Sequence, residues 1–142
     1  MARRSQLNLG ARQLNTAAMA ILHLDDQINP DATLDEVELA IHALDSARHT
    51  LVIVELPSGK SLTIGGGPDR FVTELSEEDY RTRWAVIDPT RGEEPANLVV
   101  GGALVDYPAR LCVDIHAALA AARTFVSQDG ARNQDLTWSV ES

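Results

Sequence analysis

The clearest structural signal in the chain is the segment 50–67, TLVIVELPSGKSLTIGGG. Residues 51–54 are a compact run rich in β-branched side chains, which favour strands because they pack well on a pleated surface. The triplet Pro57-Ser58-Gly59 is typical of a turn, and residues 61–64 continue as a second strand pattern. This order predicts a β-hairpin near the middle of the chain.

Strand patterns continue on the C-terminal side of this hairpin. Short apolar or alternating runs occupy residues 71–75, 83–87 and 97–100, and the pair Gly101-Gly102 follows the last of them. The connections between these runs are short, as they are between consecutive antiparallel strands. Residues 136–140 alternate again and predict a final strand. We therefore expect a mainly antiparallel β-meander.

Three other segments have apolar residues at every third or fourth position, which predicts helices. The first covers residues 11–26. The second begins with a capping box, in which the side chains of Thr33 and Glu36 each satisfy a free backbone N–H group. The third covers residues 111–126 and precedes Gly130, a C-terminal cap. The expected fold class is α+β, a mainly antiparallel β-meander sheet covered by the C-terminal helix, with two N-terminal helices, in a single domain over residues 1–142.

The charge balance argues against direct binding of nucleic acid or membranes. The 142 residues include 12 Lys and Arg and 21 Asp and Glu, a formal net charge of −9 at pH 7. Affinity for nucleic acid depends on clustered bases that release counterions, and the bases here are scattered. The longest apolar run is too short to cross a bilayer or to form a signal peptide. Cys112 is the single cysteine and cannot form an internal disulfide, which fits a reducing compartment. We expect a soluble, cytoplasmic protein.

Motifs for chemistry are weak in this sequence. Pro68 and then a strand, not a helix, follow the glycine run at 65–67, so the run does not fit a phosphate-binding loop. The four histidines lack the spacing of a metal site, and we expect neither a metal nor a cofactor. Asp114 and His116 are the only closely spaced acid and histidine pair. A small hydrolase or transferase using these two residues is one alternative, although the sequence favours a protein without catalytic activity.

Negative charge is concentrated in two segments. Seven acids and no Lys or Arg lie between Arg12 and Arg48. A second concentration comprises Asp69, Glu74, Glu77, Glu78 and Asp79. An acidic surface of this kind complements a basic protein partner and raises the rate of association.

The second half of the chain contains several motifs in a characteristic order. They include residues 61–64, 70–72 and 84–86, and an alanine-rich predicted helix at 117–125 followed by Gly130. The structural motif residues are Gly65, Gly66, Gly67, Gly101, Gly102 and Trp138. Together these motifs resemble the immunity family numbered one of bacterial polymorphic toxin systems. The resemblance covers residues 50–141 and leaves the first 30 residues outside, as a predicted helical extension.

The resemblance implies an immunity protein, or antitoxin, that binds and neutralises a cognate secreted toxin, commonly a nucleic-acid deaminase acting on cytosine in DNA. Such an enzyme needs a basic channel for phosphates, so an acidic deaminase inhibitor can occlude its active site. Aromatic side chains often anchor interfaces of this kind. The predicted partner-binding residues are Glu74, Glu77, Glu78, Asp79, Tyr80 and Trp84.

A second alternative is a homo-oligomeric scaffold without a toxin partner. Four apolar residues of the second predicted helix are spaced three or four positions apart, as in the seam of a coiled coil. This spacing would also allow a homodimer. The four residues are Leu34, Val37, Ile41 and Leu44.

Overall fold

The structure of the protein is a computed structural model and describes residues 20–141. Within these residues, nine strands, two α-helices and one 3₁₀ turn follow one another. In chain order they are β1 (Ala20–Leu24), β2 (Gln27–Ala32), α1 (Leu34–Ala43), β3 (Leu51–Glu55), β4 (Ser61–Gly66), β5 (Phe71–Ser76), β6 (Arg83–Ile87), β7 (Pro95–Val100), β8 (Ala103–Pro108), the 3₁₀ turn (Ala109–Leu111), α2 (Ile115–Ser127) and β9 (Thr137–Glu141).

Seven of these strands form one antiparallel sheet in the order β9-β6-β5-β4-β3-β1-β2. The predicted hairpin of residues 50–67 is confirmed as β3 and β4, with Val52 opposite Ile64 and Val54 opposite Leu62. All four of these side chains are fully buried. They are therefore part of the core, because neighbouring strands bring alternate side chains to the same face of a sheet.

The two helices pack on this face of the sheet and on each other. Val37 and Ile41 of α1 and Leu119 and Phe125 of α2 join the core beneath the central strands. Outside the core, the guanidinium of Arg123 donates two hydrogen bonds to the carboxylate of Glu38, at 3.1 and 2.9 Å. This two-bond ion pair links α2 to α1 at the surface.

The prediction of two N-terminal helices is wrong. Residues 20–24 and 27–32 form the hairpin β1–β2, and α1 is the single helix before β3 in the described residues. Leu22 and Leu24 share the core face while His23 between them points to the other side, which is the two-residue period of a strand. Pairing with β3 outweighs the local helical spacing. Residues 11–19 of the predicted helix lie outside the described residues.

Two further predictions are also wrong. The first is that the C-terminal helix covers the sheet, and the second is that residues 97–100 continue its meander. The C-terminal helix shares its face of the sheet with α1 and does not cover it alone. Strands β7 and β8 leave the meander and form a separate two-stranded sheet. In addition, α2 starts at Ile115, later than predicted, because the Asp114 side chain accepts the Ala117 N–H at 2.9 Å and so caps the helix.

The separate hairpin β7–β8 packs on the opposite face of the sheet, where a glycine allows close approach. A Cβ atom on Gly65 would lie 2.6 Å from Cγ1 of Val100 in β7. Gly101 and Gly102 form the tight turn of the hairpin with φ values of 63° and 82°, which glycine adopts readily. The Gly102 N–H then donates to the Thr50 hydroxyl at 2.9 Å, next to the start of β3.

We expect Gly65→Ala to destabilise the protein by about 1–3 kcal/mol, because the added methyl group overlaps the Val100 side chain. Urea denaturation measures this loss. The double variant Gly65→Ala/Val100→Ala removes the overlap and should recover part of the stability. Additive losses in the two single variants and the double variant would contradict the proposed contact.

Candidate functional site

Three of the predicted partner-binding residues lie at the exposed tip of the loop between β5 and β6. Glu78, Asp79 and Tyr80 are exposed, and 71% of the Tyr80 surface is accessible. The Asp79 carboxylate accepts the N–H groups of Thr82 and Arg81 at 3.0 and 2.9 Å, and these bonds lower its pKa. The tip therefore presents an ionised carboxylate on a closed turn, beside an exposed aromatic ring.

Two other predicted residues, Glu77 and Trp84, contact one another at the base of this loop. The indole Nε1 of Trp84 donates to Glu77 Oε2 at 3.0 Å, and Lys60 Nζ lies 3.4 Å from Glu77 Oε1. The guanidinium of Arg132 lies 3.6 Å from the centre of the Trp84 ring. Trp84 is half-buried against the core. Its ring and N–H group are therefore already engaged within the chain.

The sixth residue, Glu74, lies on β5 between the buried residues Thr73 and Leu75. It points to the opposite face of the sheet because side chains alternate along a strand. Its carboxylate is 3.8 Å from Nη1 of Arg83 on the adjacent strand. The structure thus places three of the six residues at the loop tip and holds the other three through contacts within the chain.

The glycine and tryptophan residues of the structural motif lie in packing positions. Gly66 and Gly67 have positive φ, and a Cβ atom on Gly67 would collide with the Leu44 carbonyl at the end of α1. Trp138 is partly buried, and its Nε1 donates to the Asn133 carbonyl at 2.9 Å. These residues connect the sheet to its neighbouring elements.

The structure does not bring Asp114 and His116 together as a catalytic pair. The Asp114 side chain caps α2, and His116 is exposed on the first turn of that helix. Cys112 is fully buried and lies between the 3₁₀ turn and α2, outside the helix in which we expected it. Burial raises the pKa of this thiol, which keeps it protonated and unreactive at neutral pH.

The apolar stripe predicted for a homo-oligomeric scaffold is mostly inaccessible. Val37, Ile41 and Leu44 expose at most 1% of their surface, and Leu34 is partly buried against the same core. These side chains contact the chain's own sheet and α2. They are not available as a coiled-coil seam for a second copy.

A partly buried polar cluster, which the sequence analysis missed, joins three parts of the fold. Asp25 Oδ1 accepts the N–H groups of Thr50 and Leu51 at 2.9 and 3.2 Å, and His49 Nδ1 lies 2.9 Å from Asp25 Oδ2. Burial by itself would raise the pKa of Asp25, but these hydrogen bonds outweigh it and hold the pKa below its ordinary value. The helical interpretation of residues 11–26 concealed this turn.

An apolar groove between α1 and the hairpin β1–β2 was missed for the same reason. It has a volume of about 350 Å³. Leu22 and Leu24 line it from β1, and Leu39, Ala40 and Ala43 line it from α1. A strand in place of the expected helix turns Leu24 towards α1 and leaves the neighbouring β2 at the edge of the sheet.

We expect Asp25→Asn to lower the free energy of unfolding by roughly 1 kcal/mol at pH 7, because the amide oxygen still accepts both N–H groups but the charge is lost. The depressed folded pKa of Asp25 stabilises the fold above the unfolded pKa, about 3.9, and this contribution disappears as the pH falls through the folded pKa. When denaturation is measured from pH 7 to pH 2, the free energies of unfolding of the wild type and Asp25→Asn should therefore become equal below pH 4. Asp26→Asn, at the exposed neighbouring position, is the control, and a gap that does not depend on pH would contradict this explanation.

Comparisons with known proteins bear on the function of these surfaces. No group of His, Cys, Asp or Glu within residues 20–141 is arranged to hold a metal ion, and no helix in that range is long and apolar enough to span a membrane. A search of curated proteins finds no match. The family model described as Immunity protein Imm1 matches residues 30–140, most of the chain. The chain therefore belongs to the Imm1 immunity protein family.

Proposed function

We propose that this chain neutralises a cognate secreted toxin, a nucleic-acid deaminase, by binding across its active site through the acidic loop between β5 and β6. Membership of the Imm1 immunity family supports a toxin as the partner. The observation that carries the choice of surface is the loop tip, where Glu78, Asp79 and Tyr80 are all exposed. We place this encounter in the cytoplasm, where such a toxin meets nucleic acid.

Electrostatics explain why such a loop fits a deaminase. An enzyme that acts on a base in a nucleic acid binds the phosphates in a positively charged channel. A chain of net charge −9 is attracted to that channel from a distance, and carboxylates at a protruding tip can occupy the phosphate positions. Occlusion of the channel requires no reaction by the immunity protein.

The six proposed residues have different roles in this binding mode. Tyr80 is the aromatic group free to enter a pocket of the partner, and Glu78 and Asp79 supply charge beside it. Glu77 and Trp84 support the loop, since the Trp84 N–H bond and the Lys60 ion pair fix the Glu77 carboxylate. Glu74 adds negative charge on the adjoining sheet face, beside Arg83.

The test is the affinity of the purified full chain for the toxin domain encoded beside its gene. We expect Glu78→Lys/Asp79→Asn to raise Kd at least tenfold at low salt, mainly through slower association, because it reverses one tip charge and removes another. The Asn at position 79 keeps a side-chain oxygen for the Arg81 and Thr82 N–H groups. Tyr80→Ala should weaken binding mainly through faster dissociation.

Asp135→Lys/Asp106→Asn is the matched control, because it changes the net charge by the same amount at exposed acids outside the loop. Deaminase assays on single- and double-stranded DNA, with and without each variant, connect binding to inhibition, and light scattering of the complex distinguishes one copy of the chain from a homodimer. A toxin that stays active in a saturated complex would contradict occlusion. Equal losses in the loop variants and this control would contradict the choice of surface.

A further inference from the structure

Large apolar side chains are exposed beside the apolar groove between α1 and β1–β2. Leu39 on α1 is 70% exposed and Ile28 on the edge strand β2 is 64% exposed. The groove between them is lined mainly by apolar side chains of β1 and α1. Contiguous exposed apolar surface on a soluble fold is characteristic of an interaction site.

The border of this groove is acidic. Glu36 lines it, Asp26 and Asp35 are adjacent in sequence to lining residues, and Asp31 lies two residues after the lining residue Asn29. The described chain has no Lys or Arg before Arg48, so no positively charged side chain of β1, β2 or α1 offsets these carboxylates. Apolar walls with an acidic border select a segment whose apolar side chains are flanked by Lys or Arg.

We propose that this groove is a second contact surface for the toxin and binds a basic amphipathic segment of it. This inference rests on the proposed function, because it assumes that the toxin is the partner. A second copy of the chain is a poorer occupant, since it would bring an identical acidic border against this one. The groove lies at the β2 edge of the sheet, while the β5–β6 loop follows a central strand.

Two matched substitutions test the groove in the full chain. Leu39→Glu places a charge in the groove, whereas Leu104→Glu makes the same change at a position on β8 that is 69% exposed. Neither should alter Tm, because both side chains are largely in solvent. We expect Leu39→Glu to raise the Kd for the toxin at least tenfold and Leu104→Glu to change it less than twofold.

The acidic border gives an independent prediction. Asp26→Asn/Asp31→Asn should slow association with the toxin about three- to tenfold at low ionic strength, and this difference should shrink in high salt. Asp106→Asn/Asp135→Asn removes two other exposed charges and is the control. Equal slowing in both double variants would mean that only net charge matters, and the border would have no specific role.

A photo-crosslinking residue identifies the occupant directly. With benzoylphenylalanine in place of Leu39, crosslinks to Lys- or Arg-flanked peptides of the toxin support the proposal. Crosslinks only to a second copy or to another part of the same chain overturn it.

If the wild type binds and silences the toxin but Leu39→Glu does so equally well, the groove assignment fails alone. If the wild type does not bind, the proposed function fails with it.

Discussion

The close packing at the end of β4 is the constraint on which the arrangement of the other elements depends. Gly65 lies beneath Val100 of the hairpin β7–β8, and Gly67 lies against the Leu44 carbonyl at the end of α1. A side chain at either position would push one of these elements away from the sheet. Gly65 and Gly67 therefore set the distance of the hairpin on one face and of α1 on the other.

The parts of the fold that local sequence patterns predict correctly are those with strong local signals. Residues 51–66 combine β-branched runs with a turn, and the Thr33–Glu36 capping box starts α1 as expected. The segment 20–24 could not be predicted in this way, because its apolar spacing fits a helix while its pairing with β3 brings together residues distant in sequence. The displacement of β7–β8 from the meander depends on a similarly distant contact, between Val100 and Gly65.

The candidate site likewise combines features that local sequence patterns predict with features that depend on distant contacts. The sequence identifies the acidic segment 74–79. It does not show which of these residues are exposed and which are held within the chain, because the residues that hold them are distant in sequence. Lys60 on the preceding turn pairs with Glu77, and Arg132 beyond α2 covers the Trp84 ring. No local pattern indicates that Trp84 is held within the chain while Tyr80 is exposed. The groove beside Leu39 was concealed by one wrong assignment, since it exists only when residues 20–24 are a strand.

Two contact surfaces of different chemistry would together give the proposed occlusion its specificity for one toxin. A charged loop accelerates encounter with any basic channel, but charge alone is a poor determinant of register. An apolar groove contributes mainly to slow dissociation, because its contacts form only when side chains of matching shape are desolvated. Since the β5–β6 loop and the β2 edge belong to the same sheet, a partner that engages both has its orientation fixed. Specificity then depends on the spacing between the two surfaces as well as on the residues within each.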